Sequence, residues 1–161
     1  MYNLSQYAYV ASFVALALAA VLYASYGVAR RRLVLAGFDD VGADAEIPVR
    51  NASQLSEALG RWGSILLINA FVFLTGALGF RWVAAGHGPF ANMYEFSLAF
   101  VWGTLACHLY FEFRYGLRSL AILAIPVCLA FFAYAATLPS EIDPLVPALQ
   151  NNLLLSIHVA V

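Results

Sequence analysis

The stretch Tyr7-Ala8-Tyr9-Val10-Ala11-Ser12-Phe13-Val14-Ala15-Leu16-Ala17-Leu18-Ala19-Ala20-Val21-Leu22-Tyr23-Ala24-Ser25-Tyr26-Gly27-Val28-Ala29-Arg30-Arg31-Arg32 decides what kind of protein this is. Residues 7–28 give 22 consecutive uncharged, mostly apolar positions, and about 20 such residues cross the hydrocarbon core of a bilayer as one helix. The three arginines that follow act as a stop signal. A cleavable signal peptide carries its positive charge ahead of a shorter apolar core, whereas residues 1–6 hold no basic side chain. The helix is therefore expected to be retained.

Composition extends this reading to the whole chain. Of 161 residues, 63% are hydrophobic and 11% charged, and the mean hydropathy is +0.81, against roughly half apolar and a quarter charged in a soluble domain. A soluble globular protein is excluded, and so is a sizeable soluble catalytic domain. The formal net charge of -1 offers no broad basic surface for nucleic acid, and so apolar a chain is not disordered. Cys107 and Cys128 both fall inside apolar runs, which argues against a disulfide framework.

Further apolar runs cover about residues 62–85, 93–113 and 117–138, the last with Pro126 inside it. A fifth begins near Asn152 and continues to residue 161, about 13 Å of helix, too short to cross. The expected fold is an all-α, polytopic transmembrane helical bundle. It has four complete spanning helices, at about 7–28, 62–85, 93–113 and 117–138, plus the start of a fifth at 152–161, in a single membrane domain. Residues 29–61 read as a polar connection, with a short surface helix at 53–60 capped by Ser53.

Arginine placement orients the bundle. Arg30, Arg31, Arg32, Arg50 and Arg61 follow the first helix, Arg114 and Arg118 lie between the third and fourth, and only Arg81 is on the other side. The positive-inside rule makes the first and third connections cytoplasmic and the N-terminus extracytoplasmic. Residues 86–95 and 139–152 then face outward, and the protein is expected in the plasma membrane as a multi-pass protein.

Ionisable groups at membrane depth are costly and are candidates for function. His158 lies six residues into the fifth run, about 9 Å along it. A neutral imidazole there suits coordination of a haem iron or another metal, or a hydrogen bond to a neighbouring helix. His87 stands in the outward Gly/Pro-punctuated connection, as a ligand or as a solvated loop histidine. His108 is about 18 Å along the third helix, too deep to share one iron with His158. An interhelical hydrogen bond is its favoured reading, with an inner haem or a proton path as the sharper one. Trp102 packs on a partner helix or on a cofactor. Glu95 suits the N-terminal end of the third helix, where the macrodipole favours negative charge, and Glu112, Arg114 and Arg118 suggest an interfacial ion pair.

These residues carry a resemblance. Gly86-His87-Gly88-Pro89-Phe90-Ala91-Asn92-Met93-Tyr94-Glu95, then Trp102 and His108, then Leu145-Val146-Pro147-Ala148-Leu149-Gln150 followed by His158-Val159 resemble the N-terminal half of the CcsA/ResC family, also called CcsB in bacteria. The likeness runs from about residue 62 onward. It implies system II cytochrome c maturation. Haem b would be bound and carried to the outer membrane face together with a Ccs1/ResB-type membrane protein, then attached covalently to Cys-x-x-Cys-His sites of apocytochrome c. In this family the histidine after the Pro-Ala-Leu-Gln segment is an axial haem ligand, which maps onto His158; His87 sits in a hallmark segment, and His108 and Trp102 are lesser candidates for the haem environment. The family's tryptophan-rich segment, second external histidine and further membrane histidine have no counterpart among these 161 residues. The resemblance thus implies the N-terminal portion of a haem lyase component, inactive alone. The rival reading is a generic membrane transporter or scaffold subunit with structural histidines. A cytochrome b-like carrier would need two histidines at matched depth on facing helices.

Overall fold

A computed structural model describes residues 2–36, 46–86 and 92–139. They form four helices: α1 (Tyr2–Ala36), α2 (Glu46–Ala85), α3 (Met93–Tyr115) and α4 (Ala121–Ala136), the last entered through a single 3-10 turn at Arg118–Leu120. All four segments are long and apolar enough to cross a membrane, and no strand occurs among the described residues. Polar contacts set the topology. Ser5 and Ser12 of α1 donate to the carbonyls of Ala77 and Ala70 of α2, at 3.1 and 2.8 Å, so the two helices run antiparallel. Tyr9 and Tyr23 of α1 meet Tyr94 and Glu112 of α3 in the same order along the chain, so α1 and α3 run parallel. The bundle goes up and down.

The first connection is shorter than hydropathy indicates. Residues 29–61 read as a connection, yet α1 continues to Ala36 and α2 starts at Glu46, leaving only residues 37–45 between them. Hydropathy marks where the apolar stretch ends, not where the helix ends. Arginine, leucine, glutamate, glutamine and alanine are good helix formers, and Pro48 lies in the first turn of α2, where no intrahelical N–H is lost. At 35 and 40 residues, α1 and α2 are about 52 and 60 Å long, well beyond the ~30 Å hydrocarbon core. The expected fifth helix at 152–161, His87 and His158 all lie outside the described residues.

Exposed Trp62 and Trp82 are 20 residues apart on α2, about 30 Å. That spacing matches the hydrocarbon thickness, and interfacial tryptophans mark its edges. Between these levels the outer surface is apolar, with Val21, Val72 and Leu123 among the exposed side chains. The interior is built from small and branched residues: Ala15, Leu16, Ala19, Leu67, Ala70, Leu74 and Ala77 are buried between α1 and α2. Lipid tails are as apolar as leucine, so close backbone approach and interhelical hydrogen bonds hold such helices together. On the α4 side, the Tyr9 hydroxyl donates to the Phe132 carbonyl at 2.8 Å, and its ring meets that of Phe132 at 5.3 Å.

The ends of α3 are fixed by local chemistry. Asn92 caps its start, its side-chain oxygen accepting from the Glu95 N–H at 2.9 Å. Gly116 closes it in the left-handed conformation (φ 69°) with its N–H on the Glu112 carbonyl, a backbone geometry that favours glycine.

Ala70 is fully buried at the α1–α2 contact. Ala70→Leu is expected to cost about 1–3 kcal/mol by overpacking, whereas Ser12→Ala, which loses one hydrogen bond, should cost roughly 0.6 kcal/mol. Unfolding titrations with SDS in mixed micelles measure both, and the leucine variant should be the less stable.

Candidate functional site

Buried charge is concentrated at two levels, one at each end of the membrane-spanning part. At the level of Trp82, the Arg81 guanidinium and the Glu95 carboxylate form an ion pair with Nε to Oε1 at 2.7 Å, both side chains 1% exposed. The guanidinium also lies over the Tyr94 ring, 4.7 Å from its centroid. Asn92 capping brings Glu95 into the first turn of α3, where the helix dipole adds to the pairing. The pair locks the end of α2 to the start of α3. Gly86, in the left-handed conformation, closes α2 with its N–H on the Trp82 carbonyl at 2.9 Å. Both ends of the α2–α3 connection are thereby held.

At the opposite level, just inside Trp62, the Glu112 carboxylate is the meeting point of all the neighbouring elements. The Tyr23 hydroxyl of α1 donates to Oε2 at 2.6 Å. Ser64 of α2 donates to Oε1 and also stands 2.9 Å from the Gly60 carbonyl. Arg118, in the turn after α3, brings its Nε to 3.3 Å from Oε1. His108, one turn earlier on α3, has Nε2 3.3 Å from Oε2. That is within ion-pair range but off the line of a ring N–H hydrogen bond, and Nδ1 has no hydrogen-bond partner among the described residues. The imidazole meets the Tyr23 ring edge-on at 6.1 Å. A buried carboxylate is tolerated at such depth only when its lone pairs are answered, and here donors arrive from α1, α2 and the α3–α4 turn.

Glycines make this cluster possible. A Cβ on Gly63 would stand 3.1 Å from the Tyr23 ring, and one on Gly60 would stand 3.1 Å from the Arg118 guanidinium and 3.2 Å from the Tyr26 ring. Without side chains at these positions, Tyr23, Tyr26 and Arg118 lie directly against the α2 backbone.

Of the residues singled out from sequence, the structure brings His108 to the Glu112 cluster and places Trp102 between helices. The Trp102 indole N–H donates to Thr75 Oγ1 at 2.9 Å, and its ring stacks on Phe71 at 5.5 Å. His108 also borders an apolar groove of about 290 Å³ between α3 and α4, but its ring nitrogens are buried. No group of three or more metal-ligating side chains occurs among the described residues. Cys107 and Cys128 are free thiols. Arg118, not Arg114, pairs with Glu112; Arg114 instead stacks on the Tyr115 ring at 5.5 Å. Sequence reading assigned Glu95 to the helix dipole alone and missed the Arg81–Glu95 pair, Tyr23 and Ser64. The signal for the first was present: the one arginine on its side of the membrane and a glutamate, at opposite ends of one short connection.

The site and fold define a polytopic helical membrane protein whose transmembrane helices are cross-linked by buried charge at both faces of the bilayer. Among curated proteins, the chain is 39% identical to a cytochrome c biogenesis protein CcsA from Trieres chinensis over 106 residues, 63% of this chain and 34% of that protein. It is 41% identical to CcsA of Synechococcus elongatus over 92 residues, 55% of this chain and 28% of the relative. With CcsA of Microcystis aeruginosa it shares 37% over 103 residues, 62% and 31%. Over these stretches the chain is similar to the N-terminal portion of CcsA proteins. The matched part spans about a third of the length of these relatives. No family model matches the chain, and no solved structure does.

The buried pair gives a double-mutant test. Arg81→Met or Glu95→Leu alone removes the countercharge of a buried group and is expected to destabilise by roughly 3–5 kcal/mol, while the double variant should recover most of that loss. Unfolding of the four proteins in the same micelles measures the recovery.

Proposed function

We propose that this chain works in cytochrome c biogenesis, in an assembly that binds haem and presents it at the outer membrane face for covalent attachment to apocytochrome c. The observation that carries this reading is the 36–41% identity to proteins named for cytochrome c biogenesis. Haem b is cargo in this reading, and a Ccs1/ResB-type membrane protein is the partner. His158 supplies an imidazole nitrogen to the haem iron, and an opposing ligand comes from outside these residues. His87, in the connection between α2 and α3, helps shape the outer site. Trp102 and His108 stabilise the bundle beneath it.

Thioether formation adds a reduced apocytochrome thiol across each haem vinyl group, so the two reactants must meet in a fixed orientation. The chain's part is positioning. The Arg81–Glu95 pair supports this role because it anchors both flanks of the connection that carries His87. His108 fits a direct haem contact poorly, since both its ring nitrogens are buried beside Glu112.

The full-length protein containing this chain should co-purify with haem showing a histidine-ligated spectrum, and His158→Ala should lose most of the haem and change that spectrum. Unchanged haem content and spectrum would refute the ligand assignment. For the N-terminus-outside orientation, alkaline phosphatase fused after Gly86 should be active and the same reporter fused after Gly116 inactive; the reverse pattern would invert the topology.

A further inference from the structure

At the Trp62 level the bundle opens into a cleft of about 640 Å³ between the last turns of α1, the early turns of α2 and the α3–α4 turn. Three guanidinium groups line it, Arg30, Arg61 and Arg118, with the carboxylates of Glu57 and Glu112 and the apolar side chains of Leu33 and Val34. The charges are not equally engaged. Arg118 is taken up by Glu112. Arg30 donates to the hydroxyl of Tyr26 at 2.6 Å, a neutral acceptor that positions the guanidinium without cancelling its charge. Neither Arg30 nor Arg61 makes a salt bridge among the described residues. The Tyr26 side chain, 6% exposed, also lines the cleft, and its hydroxyl proton has no acceptor among the described residues while its oxygen receives Arg30. Two guanidinium forks and a phenolic O–H facing one cavity are a donor set for a tetrahedral oxyanion.

The position of the cleft narrows the ligand. Arg61 adjoins Trp62, which marks the edge of the hydrocarbon, so the donors stand at headgroup depth. On the hydrocarbon side of Arg30 the surface of α1 is apolar, with Val21 and Val28 both more than half exposed. An anion with acyl chains finds a cationic seat and an adjoining apolar wall, whereas a free anion uses only the seat. We propose that this cleft binds the phosphate group of an anionic phospholipid, held by Arg30, Arg61 and the Tyr26 hydroxyl, with its acyl chains along the exposed apolar face of α1. Phosphate is the recognised group, and the lipid is its source.

The test uses the purified chain in a neutral detergent, with thermal stability and native mass spectrometry as readouts. Short-chain phosphatidylglycerol should stabilise the protein and remain bound in the gas phase, at much lower concentrations than either phosphatidylcholine of equal chain length or inorganic phosphate. The double variant Arg30→Gln/Arg61→Gln should weaken the phosphatidylglycerol effect roughly tenfold or more. Arg32→Gln/Arg114→Gln, which removes the same charge from exposed positions outside the cleft, should change it little. Equal losses in the two double variants would mean a diffuse charge effect and would overturn the proposal. Inorganic phosphate as potent as phosphatidylglycerol would overturn the lipid assignment, and phosphatidylcholine equal to phosphatidylglycerol would overturn the recognition of an anion.

Discussion

A carboxylate carried into a bilayer without partners would cost more than a helix can offset, and Glu112 is carried in with a partner from nearly every element of the bundle. Tyr23 comes from α1, Ser64 from α2 and Arg118 from the turn that starts the fourth crossing. Each of these residues is correctly placed only if its helix is at one depth and one rotation. A slide of one turn, about 5.4 Å, would take any of them out of reach and leave the charge exposed to hydrocarbon. Apolar contacts within a membrane impose no such penalty, because lipid replaces leucine at little cost. The carboxylate therefore sets the register for the other contacts.

The Arg81–Glu95 pair ties α2 to α3 at the far level, and the two constraints together fix the register of α1, α2 and α3. Between them, α1 and α2 are joined by two serine-to-carbonyl bonds and a seam of alanines. Those contacts are individually weak and need the helices already in register. Polar groups at both ends supply that register, and close packing in the middle follows from it. The glycines at 60 and 63 belong to the same arrangement, since the Tyr23 ring and the Arg118 guanidinium that reach Glu112 lie across the backbone those residues leave bare.

Much of the fold was legible in the sequence because hydropathy is a direct record of solvent. Four apolar runs became four helices long enough to cross. The helix ends were not legible from the same signal: α1 and α2 continue through residues whose polarity says only that they have left the hydrocarbon. The Glu112–Arg118 pair was visible as a cluster of opposite charges near one helix end, although Arg114 was grouped with it and stacks on Tyr115 instead. Tyr23 and Ser64 were not recoverable, since a tyrosine and a serine in an apolar run look alike whether they face lipid or a carboxylate. Only the interhelical rotation decides that, and a single sequence does not encode it in any periodic pattern.

The distribution of polar residues also bears on how firmly the helix ends are held. A connection at a membrane surface inherits its anchoring from the helix ends that carry it. The connection between α2 and α3 leaves from a glycine-capped end and returns to an asparagine-capped one, with the buried ion pair drawing the two together. Had the same ends been joined by leucines, the helices would be free to rotate at little cost in the lipid. An ion pair with 1% exposure on both sides opposes that freedom, because any rotation that separates the charges forfeits their attraction in a medium that cannot replace it with hydration.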